Sequence, residues 1–191
     1  MIFLKNCCVG HIPKCAGRFV RECLLSGVNS LGKDRPNAHH AHLTPDVEKT
    51  TGVIFFVRHP CSWLKSLHAH RMEKGWNWDL RYDLEKKCKS PEFEKFVLNV
   101  CEHENIIFDY FESYIGKYRS NDLKIGKVEN ITHDLLEFLC HFKEDFNEDV
   151  IKKMKPYKVN NYTKNLTISK EVAQKLYDTQ FKYYNTYFYE A

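Results

Sequence analysis

The chain has 191 residues, of which 43% are apolar and 28% charged, with eight glycines and six prolines. That balance excludes a disordered tail, and the length suits one domain with a sizeable core, so residues 1–191 are expected to fold as a single domain. The net charge is only +4, and its lysines and arginines are scattered, which argues against nucleic acid and for a discrete anionic ligand.

No stretch approaches the roughly 18 apolar residues that span a bilayer, and the start MIFLKNCCVGHIPK lacks the layout of a secretory signal. A soluble, cytoplasmic protein without a membrane span is the expectation. Eight cysteines in such a compartment should be free thiols. Cys7 and Cys8 are adjacent, and Cys15, Cys23, Cys61, Cys88, Cys101 and Cys140 make no C-x-x-C pair, so no metal-ligand set is assigned.

In chain order, Cys7 to Ile12 is a short apolar run that predicts a strand. Pro13 and Gly17 mark a loop, and Phe19, Val20, Cys23 and Leu24 follow at helical spacing. Val53 to Val57 (VIFFV) is continuous apolar sequence, the signature of a strand buried on both faces, and it stops at Arg58-His59-Pro60. A helix carrying Trp63, Leu64, Leu67 and His68 should follow. Lys74 to Ser90 loses the periodicity and predicts a long loop or lid over 74–90. Phe93 to Cys101 and Ile106 to Ile115 read as helices, Leu123 to Val128 as a weaker strand, and Leu135 to Phe142 as a helix. Ser169 is an N-cap candidate for a terminal helix through Val172, Leu176, Phe181 and Tyr184. The alternation predicts an α/β fold with a central, mostly parallel sheet flanked by helices.

Two segments carry candidate chemistry. In His11-Ile12-Pro13-Lys14-Cys15-Ala16-Gly17-Arg18-Phe19, a strand-to-helix loop would aim backbone N–H groups and the positive helix end at one point, with Lys14 adding a full charge. It is not the G-x-x-x-x-G-K-[ST] loop, because the lysine precedes the small residues and Arg18-Phe19 replace a magnesium-binding hydroxyl. In the second segment, Arg58 stands at the end of a buried strand, where open α/β sheets bind ligands, and Ser66 lies farther along the next helix.

The order strand, Pro13-Lys14-x-x-Gly17, helix, apolar strand, Arg58-x-Pro60 and then Ser66 resembles the sulfotransferases that use 3'-phosphoadenosine-5'-phosphosulfate (PAPS), particularly the carbohydrate and Golgi types. The resemblance implies a P-loop-NTPase-like fold. It also implies a 5'-phosphosulfate site at Pro13, Lys14, Cys15, Ala16, Gly17, Arg18 and Phe19, and a 3'-phosphate site at Arg58 and Ser66. Ile125 to Asn130, a strand ending towards Glu129, and Lys158 to Lys164 before the last helix resemble later parts of these enzymes. The chain departs from the family at Arg18-Phe19, where Thr-Ser is usual.

Sulfuryl transfer to a hydroxyl needs a proton acceptor, and the segment Asn37-Ala38-His39-His40-Ala41-His42 offers histidines, which titrate near neutral pH. If it is a strand, His40 and His42 share a face. The resemblance implies a catalytic histidine in this stretch, with His40 preferred over His42, beside Lys14 as the charge-stabilising group. Trp76, Trp78, Arg81 and Tyr82 form a candidate acceptor lid. The implied activity is transfer from PAPS, without a metal, to a hydroxyl-bearing small molecule or carbohydrate. The alternatives are a nucleotide-dependent kinase and a nucleotide-binding protein that has lost catalysis.

Overall fold

Six consecutive apolar-run residues set the architecture. The computed structural model describes residues 1–29, 51–76, 83–155, 163, 165–181, 184, 185 and 188. Among them Gly52–Val57 forms β3, buried along its whole length. A strand that hides both faces must be covered on both sides and flanked by partners. Its neighbours are β2 (Cys7–Val9) on one edge and β4 (Leu123–Lys127) on the other, both parallel to it. A short β1 (Ile2–Phe3) pairs antiparallel with β2 and completes a four-stranded sheet of order β1-β2-β3-β4. The α/β class and the mostly parallel sheet are thus as expected, while β1 was too short to carry a periodic signal.

The described residues fall into two compact units: Met1–Arg58 with Tyr114–Tyr157, and His59–Ser113 with Lys158–Ala191. The first unit holds the sheet and the helices α1 (Gly17–Gly27), α6 (Ile131–His141) and α7 (Glu148–Lys153). Strand alternation sends Cys7, Val9, Ile54 and Phe56 to one face, where they form a buried cluster with Phe19, Val20, Cys23 and Leu24 of α1 and Leu135, Phe138 and Leu139 of α6. Glu144 closes the β1–β2 turn, its carboxylate accepting from the N–H groups of Lys5, Asn6 and Cys7 at 3.2, 2.6 and 3.0 Å.

The second unit is helical among the described residues: α2 (Pro60–Lys74), α3 (Asp83–Cys88), α4 (Phe93–Cys101), most of α5 (Ile106–Ile115) and α8 (Lys170–Leu176). Trp63, Leu64, Leu67 and His68 are the buried side of α2, as the spacing predicts. Trp63 packs on the rings of Tyr110 and Phe111 at 4.9 and 5.0 Å. Ser169 caps α8 by accepting from the Val172 N–H at 3.3 Å. The helix then continues as a π-turn over Tyr177–Phe181. There the buried Gln180 amide donates to the carbonyls of Val100 and His103 and accepts from the Ile107 N–H.

The expectation of a loop over 74–90 needs correction. Residues 83–88 form α3, with Leu84, Glu85 and Cys88 buried. Glu85 pairs with Arg71 at 2.5 Å, both side chains being almost fully enclosed. A carboxylate and a guanidinium taken together out of water can form an internal helix contact that hydropathy periodicity does not register. No described helix is long and apolar enough to cross a membrane.

Candidate functional site

The carboxyl ends of the three parallel strands leave the sheet together. Val57 pairs with Lys127 at the last register position of β3 and β4, and the Gly10 N–H donates to the Ile54 carbonyl at 2.8 Å as β2 runs out. From these ends come the loop Gly10–Ala16, Arg58, and a 3-10 turn over Val128–Asn130 that carries Glu129. All belong to the first unit.

The loop is tightly shaped. Its Cys15 N–H donates to the Ile12 carbonyl at 3.2 Å, and Lys14 and Ala16 adopt left-handed backbone, with φ of 67° and 54°. Each costs a residue bearing a Cβ about 1 kcal/mol or more, so the surrounding contacts must enforce the turn. One such contact is at Gly17, where an added Cβ would stand 1.9 Å from the His11 ring. Another is at Gly10, where it would stand 2.1 Å from the Phe55 ring. Backbone that alternates in hand turns successive N–H groups towards one side. Left-handed residues on both sides of Cys15 make a turn of that kind.

The helix that follows has no side-chain cap among the described residues, and its first turn contains no acidic residue. The first N–H groups of an α-helix have no partner within the helix and carry the positive end of its dipole. Arg58 reaches this place from β3, its Nη1 donating to the Lys14 carbonyl at 3.4 Å. The Cys15 thiol lies in the field of the group. Burial pushes its pKa well up, Arg58 pulls it back, Glu129 raises it, and Lys14 lowers it.

The sequence-derived residues therefore divide. Pro13, Lys14, Cys15, Ala16, Gly17 and Arg58 share one locality in the first unit. Arg18 opens α1 there too, but its side chain is 78% exposed and its Nε lies 3.6 Å from Glu22. The Phe19 ring is buried in the core, so of this residue only the backbone can face a ligand at the loop. Ser66 is partly exposed on α2 in the second unit. His39, His40 and His42 lie outside the described residues, as do Trp78, Arg81, Tyr82 and most of 158–164. Glu129 is the site residue to which sequence reasoning gave no role. Its position directly after the third parallel strand was the available signal.

In the second unit Trp76 borders a groove of about 360 Å³, with Arg71, Met72, Gly75, Lys89, Ser90 and Pro91. The indole packs inward on His68 and Phe96, with ring centroids at 5.9 and 5.3 Å. Chemically, the first-unit site can bind an anion, since it gathers cations and a helix start with a carboxylate at its margin. No family model, curated protein or solved structure matches the chain.

Proposed function

We propose that the strand-end site binds a nucleotide with separated anionic groups, and that the protein is a sulfotransferase moving a sulfuryl group from PAPS to a hydroxyl. The observation that carries the proposal is the convergence of Lys14 and Arg58, from consecutive parallel strands, at the start of α1, with Arg58 bonded to the Lys14 carbonyl. Open α/β sheets bind ligands at this edge. A P-loop-like arrangement accounts for the strand, loop and helix order.

The donor set suits a phosphosulfate. Lys14 and the N–H groups of the loop and α1 would hold the 5' end, and Arg58 the 3'-phosphate. PAPS supplies a sulfur whose bond to the bridging 5'-phosphate oxygen breaks as the acceptor oxygen bonds to it, releasing adenosine 3',5'-bisphosphate. Lys14 stabilises the charge gathering on the departing phosphate. His40, or else His42, takes the acceptor proton. The acceptor is a hydroxyl compound, carbohydrate among the classes, and the cytoplasm is the proposed compartment.

One observation favours a second reading, nucleotide binding without turnover. Arg18 and Phe19 bring no hydroxyl to the loop, and the Phe19 ring is committed to the core. The test measures binding and transfer together. Adenosine 3',5'-bisphosphate should raise the melting temperature, since saturation to 100 times Kd stabilises the folded state by about 2.7 kcal/mol. Labelled sulfate should pass from PAPS to an acceptor without magnesium. Greater stabilisation by ATP with magnesium would assign a kinase, and binding without transfer would assign the second reading.

A further inference from the structure

The second unit carries the groove of about 360 Å³ beside Trp76, within the range of about 300–1,000 Å³ in which small-molecule sites fall. Its walls are set by contacts that need no ligand. The Trp76 indole packs on the rings of His68 and Phe96. His68 is held in turn at the Ser90 carbonyl, 3.1 Å from its Nε2, and Ser90 and Pro91 themselves line the groove. Arg71, another lining residue, is locked to Glu85 with both side chains enclosed. Walls fixed in advance lose little further freedom when a ligand arrives.

Folding leaves two things over in this groove, apolar surface and a cation. Met72 is 50% exposed and Trp76 half-buried. Exposed apolar side chains scattered singly are ordinary, whereas two that line one concavity make a ligand surface. Glu85 meets the charge of Arg71, but the exposed Lys89 has no ion partner among the described residues. We propose that the groove binds a small aromatic acid, its ring against Trp76 and Met72 and its carboxylate on the Lys89 ammonium. An indole offers a flat face for offset stacking, and a thioether packs well against a ring. An ammonium is a point charge that complements one carboxylate. The assignment stands apart from the nucleotide reading, since every residue in it belongs to the second unit.

The experiment titrates the full chain with indole-3-acetate, with the neutral indole-3-acetamide and with octanoate, followed by ligand-observed NMR, and repeats the titrations on Lys89→Gln and Trp76→Leu. Indole-3-acetate should bind with a Kd of about 1 mM or tighter, and the amide about threefold more weakly, the measure of an exposed ion pair. Lys89→Gln should bring the acid to the affinity of the amide and leave the amide unchanged. Trp76→Leu should weaken both about tenfold. Circular dichroism checks that each variant is folded. Lys89 is exposed, so its variant decides the case even if Trp76→Leu does not fold. No binding of indole-3-acetate below about 5 mM, an unchanged acid affinity in Lys89→Gln, or octanoate bound as tightly as the aromatic acid would each overturn the assignment.

Discussion

At the scale of single residues, the proposed function gives Arg58 and Lys14 separable roles. Arg58→Ala removes a charged anchor and should weaken adenosine 3',5'-bisphosphate by about 2 kcal/mol, read by calorimetry. Lys14→Ala should cut transfer about a hundredfold, because its charge is needed most as the leaving phosphate forms. Unchanged nucleotide affinity in Arg58→Ala would remove the 3'-phosphate assignment. His68 offers a test unrelated to ligand. Burial lowers its pKa below 6.5, partly offset by the carbonyls of Ser90 and Pro91. The unfolded chain therefore protonates this residue first. Its contribution is complete above about pH 6.5 and is lost as the pH falls towards the folded value. Urea midpoints should drop between about pH 7.5 and 5.5, and less so in His68→Gln. An identical pH response in both proteins would show that His68 is not the group involved.

At the scale of elements, the strand-to-helix loop is held by contacts that glycine permits. Gly17→Ala would press a methyl into the His11 ring, where an ideal Cβ comes within 1.9 Å. It should destabilise the fold by about 1–3 kcal/mol and weaken nucleotide binding further, because the loop must move. Full retention of both would mean that the His11 ring yields freely. For α3, Glu85→Ala leaves the enclosed Arg71 without its 2.5 Å carboxylate partner and should cost about 3–5 kcal/mol in chemical denaturation. A loss under about 1 kcal/mol would contradict the buried-pair account. These two elements differ in how legible they were. The α1 loop announced itself through Pro13, Lys14 and Gly17 after an apolar run. α3 did not, because DLEKKC is short and polar and its burial depends on Arg71, 14 residues earlier in a different helix.

At the scale of the whole molecule, the eight cysteines report packing. Cys140 is exposed and Cys61 partly so, whereas Cys7, Cys8, Cys15, Cys23, Cys88 and Cys101 are buried. Burial pushes the Cys8 and Cys88 thiols up to about 12 and Cys23 to about 11, which removes the thiolate that reacts. A thiol reagent near neutral pH should label Cys140 first and Cys61 next, with the other six reacting only on unfolding, as mass spectrometry would read. Early labelling of Cys8 or Cys23 would show that the sheet and α1 open more easily than their burial implies.

The sequence by itself determined the elements whose signal is local. VIFFV had to become a strand hidden on both faces, the 3.6-residue spacing after Gly17 and Pro60 had to become helices with those buried sides, and Ser169 had to cap the last one. It also selected Lys14 and Arg58, since Lys14 stands in the loop between an apolar run and a helix and Arg58 follows directly on a strand. Only the tertiary structure decided what depends on pairing between distant segments. Strand register brought the ends of β3 and β4 to the same edge and so set Glu129 within electrostatic reach of Cys15, more than a hundred residues away in the chain. Enclosure joined Arg71 to Glu85, and the rotation of α1 turned Phe19 into the core and Arg18 out to solvent. Periodicity reports which face of an element avoids water, but the identity of its neighbour is a long-range contact, and no local pattern encodes it.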